Sequence, residues 1–207
     1  MKNKTPYIVG ITGASGAGKT YVVKKLIQYF NRDEIAIVYQ DNYYRPRHTQ
    51  PLDDAGYRNF DTLDSIDFFQ LKKDLESLLT GQSIDLVEYT YNNSHANPGH
   101  IVVNPAPIIL LEGIFTLSVP EIKKLVDYAV FVVAPEHLML RRRIERDNVE
   151  RGYDLEDVLY RFEQHMMPAY HTHVLPIKDV ADHILYNSGD IDREIEKLAN
   201  YLKSTYL

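Results

Sequence analysis

Gly13-Ala14-Ser15-Gly16-Ala17-Gly18-Lys19-Thr20 follows the order glycine, four residues, glycine, lysine, hydroxyl residue, which is the spacing of a phosphate-cradling loop. Its flanks supply the context that such a loop needs. Ahead of it, Tyr7-Ile8-Val9-Gly10-Ile11 is a short apolar, β-prone run; behind it, Val22, Val23, Leu26, Ile27 and Phe30 are spaced for one face of a helix. Glycine at 13, 16 and 18 lets the backbone enter positive φ and approach a ligand without a Cβ in the way. Successive N–H groups then converge on phosphate oxygens, aided by the positive end of a helix beginning near Gly18. In this arrangement Lys19 reaches the β and γ phosphates of a nucleoside triphosphate, and the Thr20 hydroxyl ligates Mg²⁺. The loop names the phosphate donor and leaves the reaction open.

The 207 residues are 44% hydrophobic, enough for one good core, so a single domain over 1–207 is expected. A net charge of −6 offers no basic surplus for a phosphate backbone, which argues against nucleic acid as a main partner. The absence of cysteine excludes a disulfide framework and a thiolate metal site. Met1 to Pro6 lead into the first strand without the apolar region of a signal peptide, and no window approaches about 18 apolar residues. The expectation is a cytoplasmic protein with no membrane partner.

Working outward, Ile35 to Tyr39 reads as a second buried strand, ending at Gln40-Asp41-Asn42-Tyr43-Tyr44. Open parallel sheets bind ligands at the carboxyl ends of their strands, which places Asp41 on the side of the glycine-rich loop. Residues 45–64 are polar and turn-rich, a length that is usually functional or disordered. Ser65 is the expected cap of a helix whose apolar face is Ile66, Phe69, Leu71, Leu75, Leu78 and Leu79, and Gly81 its stop. Ile84 to Tyr91 and Ile101 to Val103 read as a hairpin, about 84–104, beside the main sheet. Pro107 to Gly113 is a continuous apolar run that fits a central strand with Glu112 at its carboxyl end, the second acidic position expected around the metal. Ser118 to Glu121 opens a helix with proline near its first position, and Tyr128 to Val133 is a further strand.

The helix from Glu136 to Glu150 carries Arg141, Arg142, Arg143 and Arg146, with Arg151 just beyond. Arg142, Arg143 and Arg146 share an arc flanking a Leu140–Ile144 stripe. Two readings stand: a solvated face, given the interleaved Glu145, Asp147 and Glu150, or a mobile lid over about 136–153 whose guanidiniums close over a transferring phosphoryl group. Asp154 to about Met167 is read as a helix ending before Pro168, followed by a strand at His183 to Tyr186 and a helix from Ile191 to Leu202. His165, His171 and His173 lack acidic or cysteine ligands at metal-site spacing and read as surface or packing residues. The alternation of strand and helix gives an α/β class: a doubly wound parallel sheet flanked by helices, with the small hairpin and the arginine-rich helical lid as additions.

Three functions use such a loop: a switch GTPase, a mechanical or regulatory ATPase, and a small-molecule kinase. No Asn-Lys-x-Asp occurs to read guanine, and no nucleic-acid footprint is visible. A kinase needs a base for the acceptor hydroxyl, a metal site and a cationic lid. Asp41, Thr20 with Glu112, and the arginines of 141–151 are the candidates.

Taken in order, Gly13 to Thr20, Asp41-Asn42-Tyr43-Tyr44, Asn59-Phe60-Asp61 with Asp64 and Asp67, Tyr91 with His95, Glu112-Gly113-Ile114, and Arg142-Arg143-Ile144-Glu145-Arg146-Asp147 with Glu150-Arg151-Gly152 resemble the uridine (uridine–cytidine) kinase family, related to phosphoribulokinases and bacterial pantothenate kinases. The resemblance covers most of the chain. It implies a P-loop NTPase fold, ATP (or GTP) and Mg²⁺ as cofactors, a nucleoside substrate phosphorylated at its 5′-hydroxyl in pyrimidine salvage, and a homo-oligomer, a tetramer. It implies Asp41 as general base and Asp61 as the holder of the ribose hydroxyls. Tyr43 or Tyr44 would line the sugar and base pocket, and Tyr89 or Tyr91 would read the pyrimidine with His95. Lys19, Arg143 and Arg146 would act on the phosphoryl group, and Arg143, Arg151 and Tyr153 on the acceptor side. Two departures mark this chain. Tyr89 lies six and Tyr91 four residues before His95, where the family has five, and Arg151-Gly152-Tyr153 stands where it has Arg-Gly-Arg. Losing that second guanidinium is expected to alter acceptor affinity while leaving the nucleotide site intact. A relative acting on ribulose 5-phosphate or pantothenate, with Arg45, Arg47 and Arg58 holding a phosphorylated acceptor, and a nucleotide-binding regulator without turnover are the alternatives.

Overall fold

A computed structural model describes residues 5–91 and 97–207. Strands β1 (Tyr7–Thr12), β2 (Ile35–Tyr39), β5 (Ile108–Glu112), β6 (Tyr128–Val133) and β7 (His183–Tyr186) form a parallel sheet in the order β2-β5-β1-β6-β7. β3 (Ile84–Val87) and β4 (His100–Val103) pair antiparallel as a separate hairpin. The helices are α1 (Lys19–Leu26), α2 (Phe68–Leu79), α3 (Pro120–Lys123), α4 (Glu136–Arg151), α5 (Leu155–Arg161), α6 (Met167–Ala169) and α7 (Asp192–Tyr206).

Successive side chains of a strand point to opposite faces, and here both faces are covered. Val9, Ile11, Leu110 and Val130 pack with Val22, Val23 and Leu26 of α1 and Ile195, Leu198 and Leu202 of α7. Ile8, Val38, Ile109, Leu111 and Phe131 pack with Leu71, Leu75 and Leu78 of α2 and with Ile84, Leu86 and Val103 of the hairpin. Every residue of β5 is buried, which is why its sequence is a continuous apolar run rather than an alternation. Full burial of each such side chain contributes about 1.5–3 kcal/mol. The chain places β2 and β5 on one side of β1 and β6 and β7 on the other. The crevice at the carboxyl end of β1 is therefore the switch point, where ligands of such sheets bind.

The structure departs from expectation in several places. Asp67, not Ser65, caps α2, its side chain accepting from the Gln70 N–H; Ser65 is buried in a preceding turn, its hydroxyl donating to the Asn59 carbonyl. Phe69 is 79% exposed, because the buried stripe of α2 is Leu71, Leu75 and Leu78 joined by Asp74. On α4 the buried stripe is Met139, Arg143 and Asp147, an i, i+4 row that carries charge, while Leu140 and Ile144 are half-buried. The helix after Asp154 does not stop at Met167. It continues as a π-turn (Phe162–Met166), α6, a second π-turn (Tyr170–Val174) and a 3₁₀ segment (Leu175–Val180). The wider turns on either side of Pro168 take up the register that its missing N–H donor would break.

Candidate functional site

Gly13, Gly16 and Gly18 all have positive φ, 144°, 81° and 96°. At Gly16 a Cβ would run into the Met139 carbonyl of α4, so the loop and that helix touch backbone to backbone. Gly18 caps α1 with no side-chain acceptor, which leaves the first-turn N–H groups directed at a ligand. The Lys19 Nζ donates to the carbonyls of Gly13 (3.1 Å) and Ala14 (3.2 Å) and lies 3.9 Å from Glu112 Oε1. Burial pulls the Lys19 pKa down against the pull of Glu112 and Asp41. Burial likewise pushes Glu112 up, with Lys19 opposing and Asp41 reinforcing the shift. Each is drawn toward its neutral form by its surroundings and held charged by its partner.

Asp41 and Glu112 come together because β2 and β5 run in register, with Tyr39 opposite Glu112. Asp41 follows two residues later in a 3₁₀ turn, Gln40–Tyr43. The neighbouring Gln40, 1% exposed, accepts from the Phe115 N–H (3.0 Å) and fills the space over Gly113 where a Cβ would collide. That contact pins the end of β2 to the loop after β5. Asp41 Oδ2 accepts a short hydrogen bond from the Tyr91 hydroxyl. Tyr91 reaches it from a left-handed backbone, φ 52°, a conformation uncommon for an aromatic residue and frequent at functional sites.

Ser15, Lys19, Thr20, Asp41, Glu112 and Arg146 line one cleft, open to solvent, with Tyr44, Phe60, Asp61, Tyr89, Tyr91 and Arg143. Its aromatic wall is Tyr44 against Phe60 (5.9 Å between ring centroids) and Tyr89 (5.1 Å), with Tyr89 edge-on to Tyr91 (5.2 Å). Asp61, 8% exposed, lies 3.6 Å from Arg143. Both tyrosines expected from the hairpin are therefore at the cleft. His95 and the Arg151 side chain lie outside the described residues. Tyr43 does not line the cleft: its hydroxyl donates to the buried Asp74 (2.9 Å), which drives its pKa upward together with burial, burial being the larger cause. Of Arg45, Arg47 and Arg58, only Arg47 reaches the cleft. Arg45 bonds to the Asp64 carbonyl and faces Asp67, and Arg58 donates to the carbonyls of His48 and Gln50.

The arginines of α4 divide their work. Arg141 is a surface residue paired with Glu145. Arg142 donates to the carbonyls of Gly16 and Ala17 (both 3.3 Å) and to Asn187, so it braces the loop rather than facing the cleft. Arg143 (6% exposed) and Arg146 share the buried Asp147 at 3.2 and 2.8 Å, and Arg146 also approaches the Ser15 hydroxyl. Arg141 thus lies on a solvated face, while Arg142, Arg143 and Arg146 turn inward to the loop and to buried carboxylates.

Sequence reasoning missed Asn187 and Arg161, and it named Arg47 and Tyr153 without their contact. Asn187, just past β7, donates to the Ala17 carbonyl (2.8 Å); its position beyond the carboxyl end of a strand was the available signal. Arg161 lines the cleft, stacked over Tyr153 (5.1 Å) and paired with Asp157. Arg47 donates to the Tyr153 hydroxyl (3.1 Å) and lies over Phe60. For a cation, Thr20, Asp41 and Glu112 all line the cleft with oxygen donors, the hard-ligand chemistry that suits Mg²⁺ held with substrate phosphates. Among the described residues no cluster of three or more His, Cys, Asp or Glu forms a self-contained metal site. No helix among them is long and apolar enough to cross a membrane.

A model of the phosphoribulokinase/uridine kinase family matches residues 8–193. The chain is 34% identical over 204 residues to a uridine kinase of Lactobacillus helveticus, covering 98% of this chain and 97% of that one. It is 30% identical over 202 residues to uridine-cytidine kinase B of Dictyostelium discoideum, covering 98% and 83%. Against uridine kinase-like protein 3 of Arabidopsis thaliana it is 32% identical over 95% of its own length but spans only 42% of that longer protein. Among solved structures, phosphoribulokinase from Rhodobacter spheroides superposes with a TM-score of 0.63 at 17% identity, over 88% of this chain and 70% of that one. A possible uridine kinase from Bacillus stearothermophilus gives 0.58 at 19% identity, over 89% and 90%.

Proposed function

This chain belongs to the phosphoribulokinase/uridine kinase family, and on that footing we propose that it transfers the γ-phosphoryl group of ATP (or GTP) to the 5′-hydroxyl of uridine, and of cytidine. The observation that carries this reading is one cleft lined together by the phosphate loop's Ser15, Lys19 and Thr20, by Asp41 and Asp61, and by the aromatic wall of Tyr44, Phe60, Tyr89 and Tyr91. Asp41 takes the proton of the attacking hydroxyl, a role suited to a carboxylate in a loose transition state. Lys19, Arg143 and Arg146 stabilise charge on the transferring group. Asp61 accepts from the ribose hydroxyls and so rejects sugars that leave it unpaired, and the aromatic wall takes the flat base. Thr20 and Glu112 would hold Mg²⁺, which supplies charge neutralisation to the phosphates when bound.

A coupled ADP-release assay with uridine, cytidine, ribulose 5-phosphate, pantothenate or no acceptor tests this. Turnover dependent on uridine is expected; turnover without it, or none at all, sinks the reading. One observation favours a second reading, a phosphorylated acceptor. Arg47 lines the cleft with no carboxylate at ion-pair distance among the described residues, a cation placed to meet an anion. Ribulose 5-phosphate turnover in the same assay would select it.

A further inference from the structure

Residues 51–59, part of the long loop before α2, fold into a small closed turn. Asn59 N–H donates to the Pro51 carbonyl (2.8 Å), Leu52 bridges Arg58, and Gly56 turns the tip at φ 84°. At its centre Asp53 accepts four hydrogen bonds. Oδ1 takes the N–H groups of Ala55 (3.0 Å) and Tyr57 (2.7 Å), and Oδ2 takes the Tyr160 hydroxyl (2.8 Å) and His165 Nε2 (2.7 Å). His165 is 3% exposed, and its buried Nδ1 has no partner among the described residues. Among the described residues, the bond to Asp53 is therefore the one hydrogen bond that orients this ring, with Tyr160 packed edge-on against it (5.6 Å). Burial raises the Asp53 pKa, yet the bonds from His165, Tyr160 and Tyr57 outweigh it and bring the carboxyl to about 2.

The contacts around this carboxylate lead directly into the cleft. Tyr57 packs on Tyr160 (4.6 Å), and the Arg161 guanidinium lies over Tyr57 (5.6 Å) and donates to the Arg58 carbonyl (2.6 Å). Phe60 and Asp61 follow the turn immediately, and Arg161 and Tyr153 sit opposite; all four line the cleft while Asp53 does not. His165 itself lies in the π-turn that begins one residue after Arg161, a local distortion common at functional sites. We propose that Asp53, gripped by Tyr160 and His165, is a positioning residue for the acceptor: it sets where Asp61, Phe60 and Arg161 meet the bound substrate. Phe60, Asp61 and Arg161 all depend on this turn for their placement, so a tether outside the cleft governs acceptor affinity without touching the acceptor.

The inference rests on the kinase reading only for the choice of acceptor. Steady-state kinetics of Asp53→Asn, with the acceptor that the unmodified chain turns over, should show an acceptor KM raised at least about tenfold, with ATP KM and kcat within about threefold. His165→Gln, which keeps a donor near Nε2, should recover part of what His165→Leu loses. An acceptor KM within about twofold of the parent overturns the proposal. So does a parallel loss in kcat and both KM values that tracks a fall in melting temperature, since that marks a purely structural role. Should Asp53→Asn not fold, Tyr160→Phe and His165→Gln carry the same comparison. If no nucleoside or other acceptor in the panel is turned over, the kinase reading fails on its own account. Amide hydrogen exchange at residues 57–61 of the ATP-loaded chain then decides: faster exchange in Asp53→Asn supports the tether, and unchanged exchange removes it.

Discussion

At Asp41 one carboxylate oxygen is already engaged by the Tyr91 hydroxyl, so an acceptor hydroxyl must use the other oxygen or displace the phenol. On the proposed reading, the function asked of Asp41 is its charge. Asp41→Asn keeps the shape and still offers an oxygen to Tyr91, but it cannot take a proton. Turnover should fall by about 10²–10⁴ in kcat, the usual worth of a positioned base, while ATP affinity by calorimetry stays within about twofold. Loss of ATP binding instead would make Asp41 a metal or structural residue. The buried Lys19 shows why residue type alone did not forecast its setting. The motif names a lysine there, but only the fold brings Glu112 to 3.9 Å of it, through a strand register that no local pattern encodes.

On the element scale α4 is the piece whose sequence was easiest to notice and hardest to assign. The spacing of its arginines was legible, but spacing gives direction around a helix and not what each direction faces. Arg142 meets the glycine-rich loop because Gly16 lets the helix approach, a contact 126 residues distant in sequence. Tyr153, two residues past the end of α4, was legible as a departure, and the structure adds its partners, Arg47 by hydrogen bond and Arg161 by stacking. Tyr153→Phe should keep the stack and release Arg47. Because a hydrogen bond to a charged group is worth about 1.5–3 kcal/mol, acceptor KM should change by about tenfold or more, with ATP KM unaffected. Equal values for Tyr153→Phe and the parent would show that the pair plays no part in acceptor binding. The helix that runs through Pro168 was not legible, since proline normally marks an end and the π-turns that accommodate it leave no pattern in the sequence.

For the molecule as a whole, β1 and β5 were readable because burial on both faces writes itself as an apolar run, while β2, β6 and β7 carry β-prone apolar residues with fewer of them buried. The order in which they lie side by side was readable only as a class. The richness in tyrosine, sixteen in all, had no explanation from sequence beyond the few placed at the cleft, and the fold gives several tyrosines a common physical consequence. Burial is the leading cause that raises the phenol pKa of Tyr39, Tyr128 and Tyr170, and of Tyr43, where Asp74 adds to it. In the unfolded chain these phenols ionise near 10. A raised folded value means that the native state holds its protons longer, so the stabilisation is fully present below about pH 10 and is lost as pH rises through the folded values. The melting temperature should therefore fall steeply above about pH 10, and ultraviolet absorbance should show phenolate appearing together with unfolding. Tyr170, whose shift has burial as its one cause, isolates the effect. Tyr170→Phe removes one titrating group, so the alkaline slope of stability should become shallower by up to about 1.4 kcal/mol per pH unit, with little change at neutral pH. Phenolate forming near pH 10 while the fold stays intact, or an unchanged slope in Tyr170→Phe, would mean that these rings are open to solvent in the native state and contribute nothing to its alkaline limit.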